Sequence, residues 1–513
     1  MPIRISGMNS GLDTEALVSA LTSGYKTKVD NAKKAQTKIS WKQDAWKNTN
    51  KKIYSLYTSI SNLRFTSAYQ AKKTSVSDTT KASVTASSQA AIGTHTLEVK
   101  DLASTAYLTG AKLTSRDAEG KASTAKGSTK LSELGYDVED GNTISFTYNG
   151  KKKDISVSKD STVNDFVNAL KDAGVQANFD EANGRIFVAA QKSGASYDFS
   201  FDEGGADTTD ASKSALKALG LISAPDGSSS ADSGYAVKIK GADAKITLDG
   251  ATYTGSTNDF SINGINISAT GKTTAPVTIT TSQDTQGLYD KVKDFLTQYN
   301  EVINDLTASY NAASAKGYEP LTDEQKASMS GTEVEKWEDK IKASLLRRDG
   351  TLDGVINTMT NAMSKSYKVG DKTMSWSTFG VHTLGFLNSA ENEQNAYHID
   401  GDEDDSLTSG NADKLMAALT SDPDSVIDFM QQSVSGLYKG IDQKMKSTSM
   451  RSAYTVYNDK EMASEYSDYS DVIKQWTTRL TEMEDKYYKQ FANMEKQLAA
   501  LQSNSSSLTG MMG

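Results

Sequence analysis

The chain has 513 residues, of which 37% are hydrophobic and 24% charged, with a formal net charge of −9. That length holds about three or four domains of ordinary size, and a mildly acidic balance gives no reason to expect a nucleic-acid partner. Cysteine is absent, which excludes disulfides, thiol catalysis and thiolate metal sites in one step.

The chain opens Met1-Pro2-Ile3-Arg4-Ile5-Ser6-Gly7-Met8-Asn9-Ser10-Gly11. A basic stretch followed by an apolar one is missing, so no cleavable signal peptide is expected. No apolar run approaches the roughly 18 residues of a membrane span, so no membrane insertion is expected. An uncleaved export signal of another kind is compatible with this.

A helical pattern begins at residue 14 and is expected to run to about residue 70, with Asp13 as its N-cap. Val18, Tyr25, Ala32, Ile39, Trp46, Ile53 and Ile60 recur every seven residues, and Leu21, Ala35, Leu56 and Leu63 take the companion position. Such a repeat predicts a coiled-coil-like helix. Only Asp30 and Asp44 oppose the bases between Lys26 and Lys73, a charge run that reads as a solvated helix face.

Strands follow. Ser83 to Ala86 and Thr94 to Val99 alternate apolar and polar residues. Ile144, Phe146 and Tyr148 lead through Asn149-Gly150 to Ile155 and Val157, a hairpin pattern. Ser161 should cap a helix carrying Val163, Phe166, Val167 and Leu170, which ends at Gly174. A second hairpin turns at Asn183-Gly184, and a short closing helix is expected near Ser214 to Leu219. Residues 130–222 therefore read as an α+β domain. After a Gly/Ser linker at 227–234, further hairpins turn at Asp249-Gly250 and Asn263-Gly264.

From Asp284 onward the chain reads as mainly helical, with Leu288, Val292, Phe295, Tyr299, Val302 and Leu306 on one face. A short β-like stretch falls around Tyr367 to Leu387. At the C-terminus Ile473, Leu480, Tyr487, Met494, Leu501 and Leu508 again lie seven apart. Trp476 and Met483 fill the companion position; Gln490, Gln497 and Asn504 are expected to replace them there, giving a weak, polar seam that orders only when packed.

The fold class is multidomain α+β, with long coiled-coil-like terminal legs, a helical-bundle domain and nested β-rich head domains. Expected boundaries are 1–42 with 472–513 for the legs, 43–73 with 284–471 for the bundle, 74–110 with 234–283 for the β-rich head, and 111–233 for an outer α+β head.

These residues resemble the flagellar hook-associated protein 2 (FliD) family. Ile5-Ser6-Gly7-Met8-Asn9-Ser10-Gly11-Leu12-Asp13 is similar to its N-terminal signature, and Gly241 to Thr254 with Asn258 to Ile265 to its strand region. Asp284-Thr285, Lys293 to Phe295, Tyr299 to Glu301, Tyr318 to Thr322, Met329-Ser330, Trp337-Glu338 and Leu345 to Arg347 are similar to its helical region. Thr162 to Ser193 resembles a β-rich motif of flagellin variable domains. The acidic run after Gly401 departs from the pattern.

The resemblance implies an extracellular cap at the flagellum tip, exported without a cleavable signal, that folds and inserts flagellin. It implies a ring homo-oligomer of five subunits, contact with flagellin and hook–filament junction proteins, an export chaperone at the C-terminal helix, and a secondary role in adhesion to mucin. The alternatives are a junction protein or an adhesin without a capping role. Filament or leg contacts are then expected from Ile5, Gly7, Asn9, Ser10, Leu12, Leu21, Tyr25, Leu480, Tyr487, Met494 and Leu501. Oligomer or bundle packing is expected from Trp46, Ile53, Ile60, Phe295, Tyr299 and Trp337.

No enzyme activity and no cofactor are expected. The histidines His95, His382 and His398 are scattered and fit no zinc-hydrolase motif, and neither a phosphate loop nor a nucleophile elbow is present. The acidic run Asp400, Asp402, Glu403, Asp404 and Asp405 lacks the glycine and glutamate spacing of a calcium loop, and reads as a solvated acidic loop.

Overall fold

The computed structural model describes residues 10–136, 142–203, 210–224 and 230–512. In chain order its helices are α1 (Thr14–Ser59), α2 (Val163–Asp172), α3 (Asp210–Ala218), α4 (Thr285–Asn311), α5 (Asp323–Ala327), α6 (Gly331–Ala343), α7 (Gly350–Ser364), α8 (Gly385–Asn388), α9 (Lys414–Ser421), α10 (Pro423–Lys444) and α11 (Asp459–Met512). They belong to two compact units, Met1–Tyr69 with Thr285–Gly513 and Gln70–Asp284. The multidomain α+β class holds.

In the helical unit, α1 starts where the Asp13 carboxylate accepts the Ala16 N–H at 2.9 Å. It contains no proline and runs 46 residues. It stops at Ser59, short of the expected end near residue 70. The Thr58 and Ser59 hydroxyls there bond to carbonyls of their own turn, at 3.0 and 2.9 Å, a competition that loosens a helix end. Two short 3-10 turns carry the chain on to Tyr69.

The core of this unit is built from α1, α4, α7, α9 and α10 together with the 367–399 segment. α4 supplies Leu288, Val292, Phe295, Tyr299, Ile303 and Leu306, all buried, so the amphipathic face read from the sequence is the one that packs. Trp376 stacks on Phe295 at 5.8 Å and meets Phe429 edge-on at 5.1 Å. Its indole N–H donates to the Ser433 hydroxyl at 3.0 Å, so the polar end of this buried ring is satisfied.

The second unit holds two further cores. One lies under a five-stranded antiparallel sheet ordered Lys72–Val76, Val277–Gln283, Gly93–Asp101, Ala244–Leu248 and Ala251–Gly255. Lys72–Val76 and Val277–Gln283, the first and last strands of the unit along the chain, pair, with Lys72 opposite Gln283. That pairing brings the two ends of the unit together, the geometry insertion requires. The strands Asp259–Ile262, Ile265–Ala269 and Ala82–Ala86 form a second layer over the same core.

The other core sits among a four-stranded sheet (Val237–Ile239, Thr105–Thr109, Arg185–Ser193, Gln176–Asp180), a three-stranded one (Phe199–Phe201, Asn142–Tyr148, Lys151–Val157) and α2 and α3. The hairpin turns fall where expected. Asn149-Gly150, Asp249-Gly250 and Asn263-Gly264 each take positive φ at both residues, which the twist of a two-residue hairpin demands. The cap of α2 is Thr162, not Ser161: Thr162 accepts the Asp165 N–H at 3.1 Å while Asp165 accepts the Thr162 N–H at 2.9 Å, a reciprocal box Ser161 stands one residue too early to make.

Candidate functional site

The two terminal helices pair antiparallel. Contacts along α1 are met by falling residue numbers on the returning chain. Ser10 donates its N–H at 3.3 Å and its hydroxyl to the buried Glu495. Tyr25 lies 6.5 Å from Trp476, over which Lys28 Nζ sits at 4.0 Å. The Gln36 amide donates to the Ser470 hydroxyl at 2.6 Å. Trp46 stacks on Tyr457 at 5.3 Å. The Asn50 side chain donates to the Tyr454 carbonyl at 3.0 Å and accepts the Val456 N–H at 2.9 Å.

The seam differs in phase from the sequence reading. On α1 the buried stripe is Thr14, Val18, Thr22, Val29 and Ala32, with Tyr25 half-buried. Leu21, expected at the companion position, is 49% exposed. The step from Val18 is four residues, to Thr22, not three. Thr22 is accommodated because its hydroxyl bonds the Val18 carbonyl at 2.8 Å.

On α11 the companions Trp476 and Met483 lie where expected, and the slip begins after Tyr487. Ile473, Trp476, Leu480, Met483, Tyr487 and Met494 are half-buried, and so are Phe491 and Leu498, while Gln490 and Gln497 are exposed. The seam there is apolar and the expected polar breaks face outward. A seven-residue repeat splits as three plus four or four plus three, and the repeat alone does not say which. Asn504, Leu501 and Leu508, past the Ser10–Glu495 contact, are exposed.

Leu12, like Leu21, is exposed. Ile5, Gly7 and Asn9 lie outside the described residues. Trp46, Ile53, Ile60, Phe295 and Tyr299 all enter the helical unit's core. Burial pushes the Tyr299 hydroxyl pKa far up. Trp337 stands apart from that core: half-buried on α6, it packs against Tyr318 at 4.5 Å and donates to the Glu319 carbonyl at 2.8 Å.

The basic face of α1 is not simply solvated. Lys26 pairs with Glu324, Lys34 with Glu319 at 3.8 Å, Lys42 with Asp349 at 2.9 Å and Lys52 with Asp305. Lys342 Nζ lies 5.1 Å above the Trp41 ring. A ladder of charges therefore joins α1 to α4 and to the 319–349 segment of its own unit. Its acids are some 250 residues and more away in sequence, so a scan of local charge could not show them.

The acidic run is also tied down. Asp400 and Asp402 are buried. Asp400 accepts from Asn411 at 2.7 Å and lies 3.0 Å from His382 Nε2. Asp405 lies 2.6 Å from His398 Nδ1. Lys293 of α4 reaches both Asp402 and Asp404 at 2.6 Å. Burial alone would raise the Asp400 carboxyl pKa, but Asn411 and His382 outweigh it and hold it below the usual range. Asp405 follows the same logic, with His398 and the Leu407 N–H outweighing burial. His382 and His398 face each other across a two-residue ladder. The expected solvated loop is thus a clasp, with only Glu403 and Asp404 of its acids exposed. No group of three or more ligating side chains suited to a metal occurs among the described residues, and no described helix is long and apolar enough to cross a membrane.

This arrangement is one for packing and pairing. The family model of the flagellar hook-associated protein 2 C-terminus matches residues 241–503, and that of the N-terminus matches residues 10–106. The flagellar hook-associated protein 2 of Halalkalibacterium halodurans is 25% identical over 542 residues, covering 97% of this chain and 97% of that protein. The A-type flagellar hook-associated protein 2 of Pseudomonas aeruginosa is 30% identical over 311 residues, 58% of this chain and 62% of that protein. The crystal structure of the flagellar cap protein FliD D1-D2-D3 domains from Escherichia coli aligns over 82% of this chain and 96% of that chain, at 18% identity and a TM-score of 0.45. With the C-terminal family model alone spanning half of its length and the N-terminal one adding its leading segment, the chain belongs to the flagellar hook-associated protein 2 family.

Proposed function

We propose that the chain caps the distal tip of a bacterial flagellum as a ring of its own copies, retaining exported flagellin and promoting its folding and insertion. The observation that carries this reading is the α1–α11 pair. It is a two-helix leg too narrow to bury its own leucines: Leu12 just before α1, Leu17 and Leu21 on α1, and Leu501 and Leu508 on α11 are exposed. Exposed leucines at helical spacing are completed by partner helices, as in a coiled coil that gains strands. Flagellin, the junction proteins and an export chaperone on α11 are the partners in this reading. Family membership and a site built of packing surfaces support it.

The division of labour follows the cores. The legs, 1–42 with 472–513, contact the filament, and the bundle, 43–73 with 284–471, carries them. The heads, 74–110 with 234–283 and 111–233, form the outer plate. The separate core of the helical unit and the two cores within Gln70–Asp284 support a bundle and two heads, though Ala106, Leu108 and Ala236 pack in the core of the outer head.

Deleting the gene tests the proposal. Cells should then release unpolymerised flagellin into the medium and bear no filaments, and the full-length chain should restore them. Filaments of normal length in the deletion strain would refute it.

A further inference from the structure

Tyr454 adopts φ = +62°, a conformation that a bulky side chain rarely takes and that persists only where its surroundings impose it. Here they do. The Tyr454 N–H donates to the Met445 carbonyl at 2.9 Å, and its carbonyl accepts from Asn50 at 3.0 Å. The Arg451 guanidinium ties the same loop to the Lys446 and Val456 carbonyls at 3.1 and 3.3 Å. Tyr454 so held is 59% exposed.

That ring begins a continuous aromatic ribbon. Tyr454 meets Tyr54 edge-on at 5.8 Å, Tyr54 lies 6.1 Å from Tyr57, and Tyr57 stacks on Tyr438 at 4.3 Å. The Arg64 guanidinium covers Tyr438 at 3.7 Å and reaches Phe65 at 5.0 Å. Tyr54 and Phe65 are exposed as well as Tyr454. Tyrosine and arginine held rigid at a surface are the composition of interface hot spots.

The same unit carries the opposite feature. Phe386 and Leu387, adjacent on α8, are 82% and 92% exposed, the highest values among the exposed large apolar side chains of the described residues. The charges match across the pair. No Asp or Glu lies between Asp44 and Tyr69, the segment that supplies Tyr54, Tyr57, Arg64 and Phe65, and the acid that reaches the ribbon, Asp442, accepts the Tyr57 hydroxyl at 3.0 Å. No Lys or Arg lies between Lys372 and Lys414, the segment that carries the apolar knob together with Glu391 and Glu393.

We infer that the Phe386–Leu387 knob of one copy seats on the Tyr454–Phe65 ribbon of the next. The inference rests on the ring assembly proposed above and names its contact. Two different surfaces that fit one another join head to tail, and a head-to-tail contact is the kind that closes into rings; a self-complementary patch would stop at a dimer. The charge match makes the contact weaken as salt rises.

The chain has no cysteine, so single-cysteine variants report this contact without background. Leu387→Cys and Tyr454→Cys full-length chains are mixed and treated with a short bismaleimide at low salt. The expected result is a cross-linked dimer, which mass spectrometry assigns to positions 387 and 454, formed by the mixture and by neither variant alone. Phe386→Asp in the Leu387→Cys chain should abolish it, with the circular dichroism spectrum unchanged. Assembly into oligomers without the 387–454 cross-link would overturn the contact and leave the capping proposal standing. A chain monomeric at every concentration would overturn both.

Discussion

Trp46 lies face to face with Tyr457, the ring centroids 5.3 Å apart and the planes within 7° of parallel. Both rings are buried. The contact joins the first helix of the chain to the residues just before its last, more than 400 positions apart. It therefore ties together the two halves of the helical unit, which Gln70–Asp284 separates in sequence.

Replacing Trp46 with Ala should cost the helical unit about 3–5 kcal/mol, the range for truncating a buried aromatic side chain. Calorimetry on the whole chain checks this. The transition of the helical unit should move down while that of the Gln70–Asp284 unit, which has its own cores, stays in place. An equal fall in both transitions would show that the two units do not unfold separately.

The phase of the α11 seam makes a second, opposed pair of expectations. Phe491→Ala removes a half-buried ring from the seam and should weaken the α1–α11 pairing by about 1–2 kcal/mol. Gln490→Leu alters an exposed position and should stay within about 0.5 kcal/mol. Hydrogen exchange of the α11 amides separates the two, with faster exchange expected for Phe491→Ala alone. The reverse outcome would restore the phase that the seven-residue repeat suggests when read as three plus four.

That slip marks where the sequence was legible and where it was not. Periodicity located α1, α4 and α11, and turn chemistry located hairpins such as Asn149-Gly150, because both signals are local. Periodicity did not choose between Leu21 and Thr22, since a buried threonine that bonds its own helix is as good a neighbour as leucine on a thin two-helix leg. Nor did it show that Asp400 would find His382 and Asn411, or Lys42 find Asp349. Those partners are chosen by the tertiary fold, and a run of acids looks the same in sequence whether it is solvated or clasped. Of the leg residues expected to meet a partner, Leu12, Leu21 and Leu501 stand exposed, but Leu480, Tyr487 and Met494 are partly spent on the α1–α11 seam.

The clasp predicts an acid limb in stability. Asp400 and Asp405 are held below the usual carboxylate range by their hydrogen bonds. A group whose pKa is lower in the folded chain binds protons more weakly there than in the unfolded one. Its contribution is therefore complete above the ordinary aspartate value of about 3.9 and is lost as pH falls through the lower, folded value. Unfolding of the helical unit by urea should be steady near neutrality and weaken below about pH 4. His382→Gln together with His398→Gln should flatten that limb while lowering stability at neutral pH. A limb of unchanged steepness in the double variant would place its origin elsewhere.

The ladder along α1 predicts an effect of salt that differs from rung to rung. The Lys26 and Glu324 side chains are 45% and 74% exposed, and an exposed pair contributes about 0–1 kcal/mol, most of which salt removes. Asp349 is different. It faces Lys42 at 2.9 Å with only 12% of its side chain exposed. It is also the N-cap of α7, accepting the Thr351 N–H at 2.9 Å and the Leu352 N–H at 3.3 Å. Removing it strips a lysine of its partner and leaves helix N–H groups without theirs. Asp349→Ala should therefore cost about 1–2 kcal/mol, the upper part of the range for losing a cap, and the loss should persist at high salt because hydrogen bonds to the backbone are not screened. Lys26→Gln should cost little at low salt and nothing measurable at high salt. Urea titrations of both variants at two salt concentrations test the distinction. If Asp349→Ala recovered wild-type stability in high salt, the carboxylate would be acting through its charge on Lys42 alone and not as a cap.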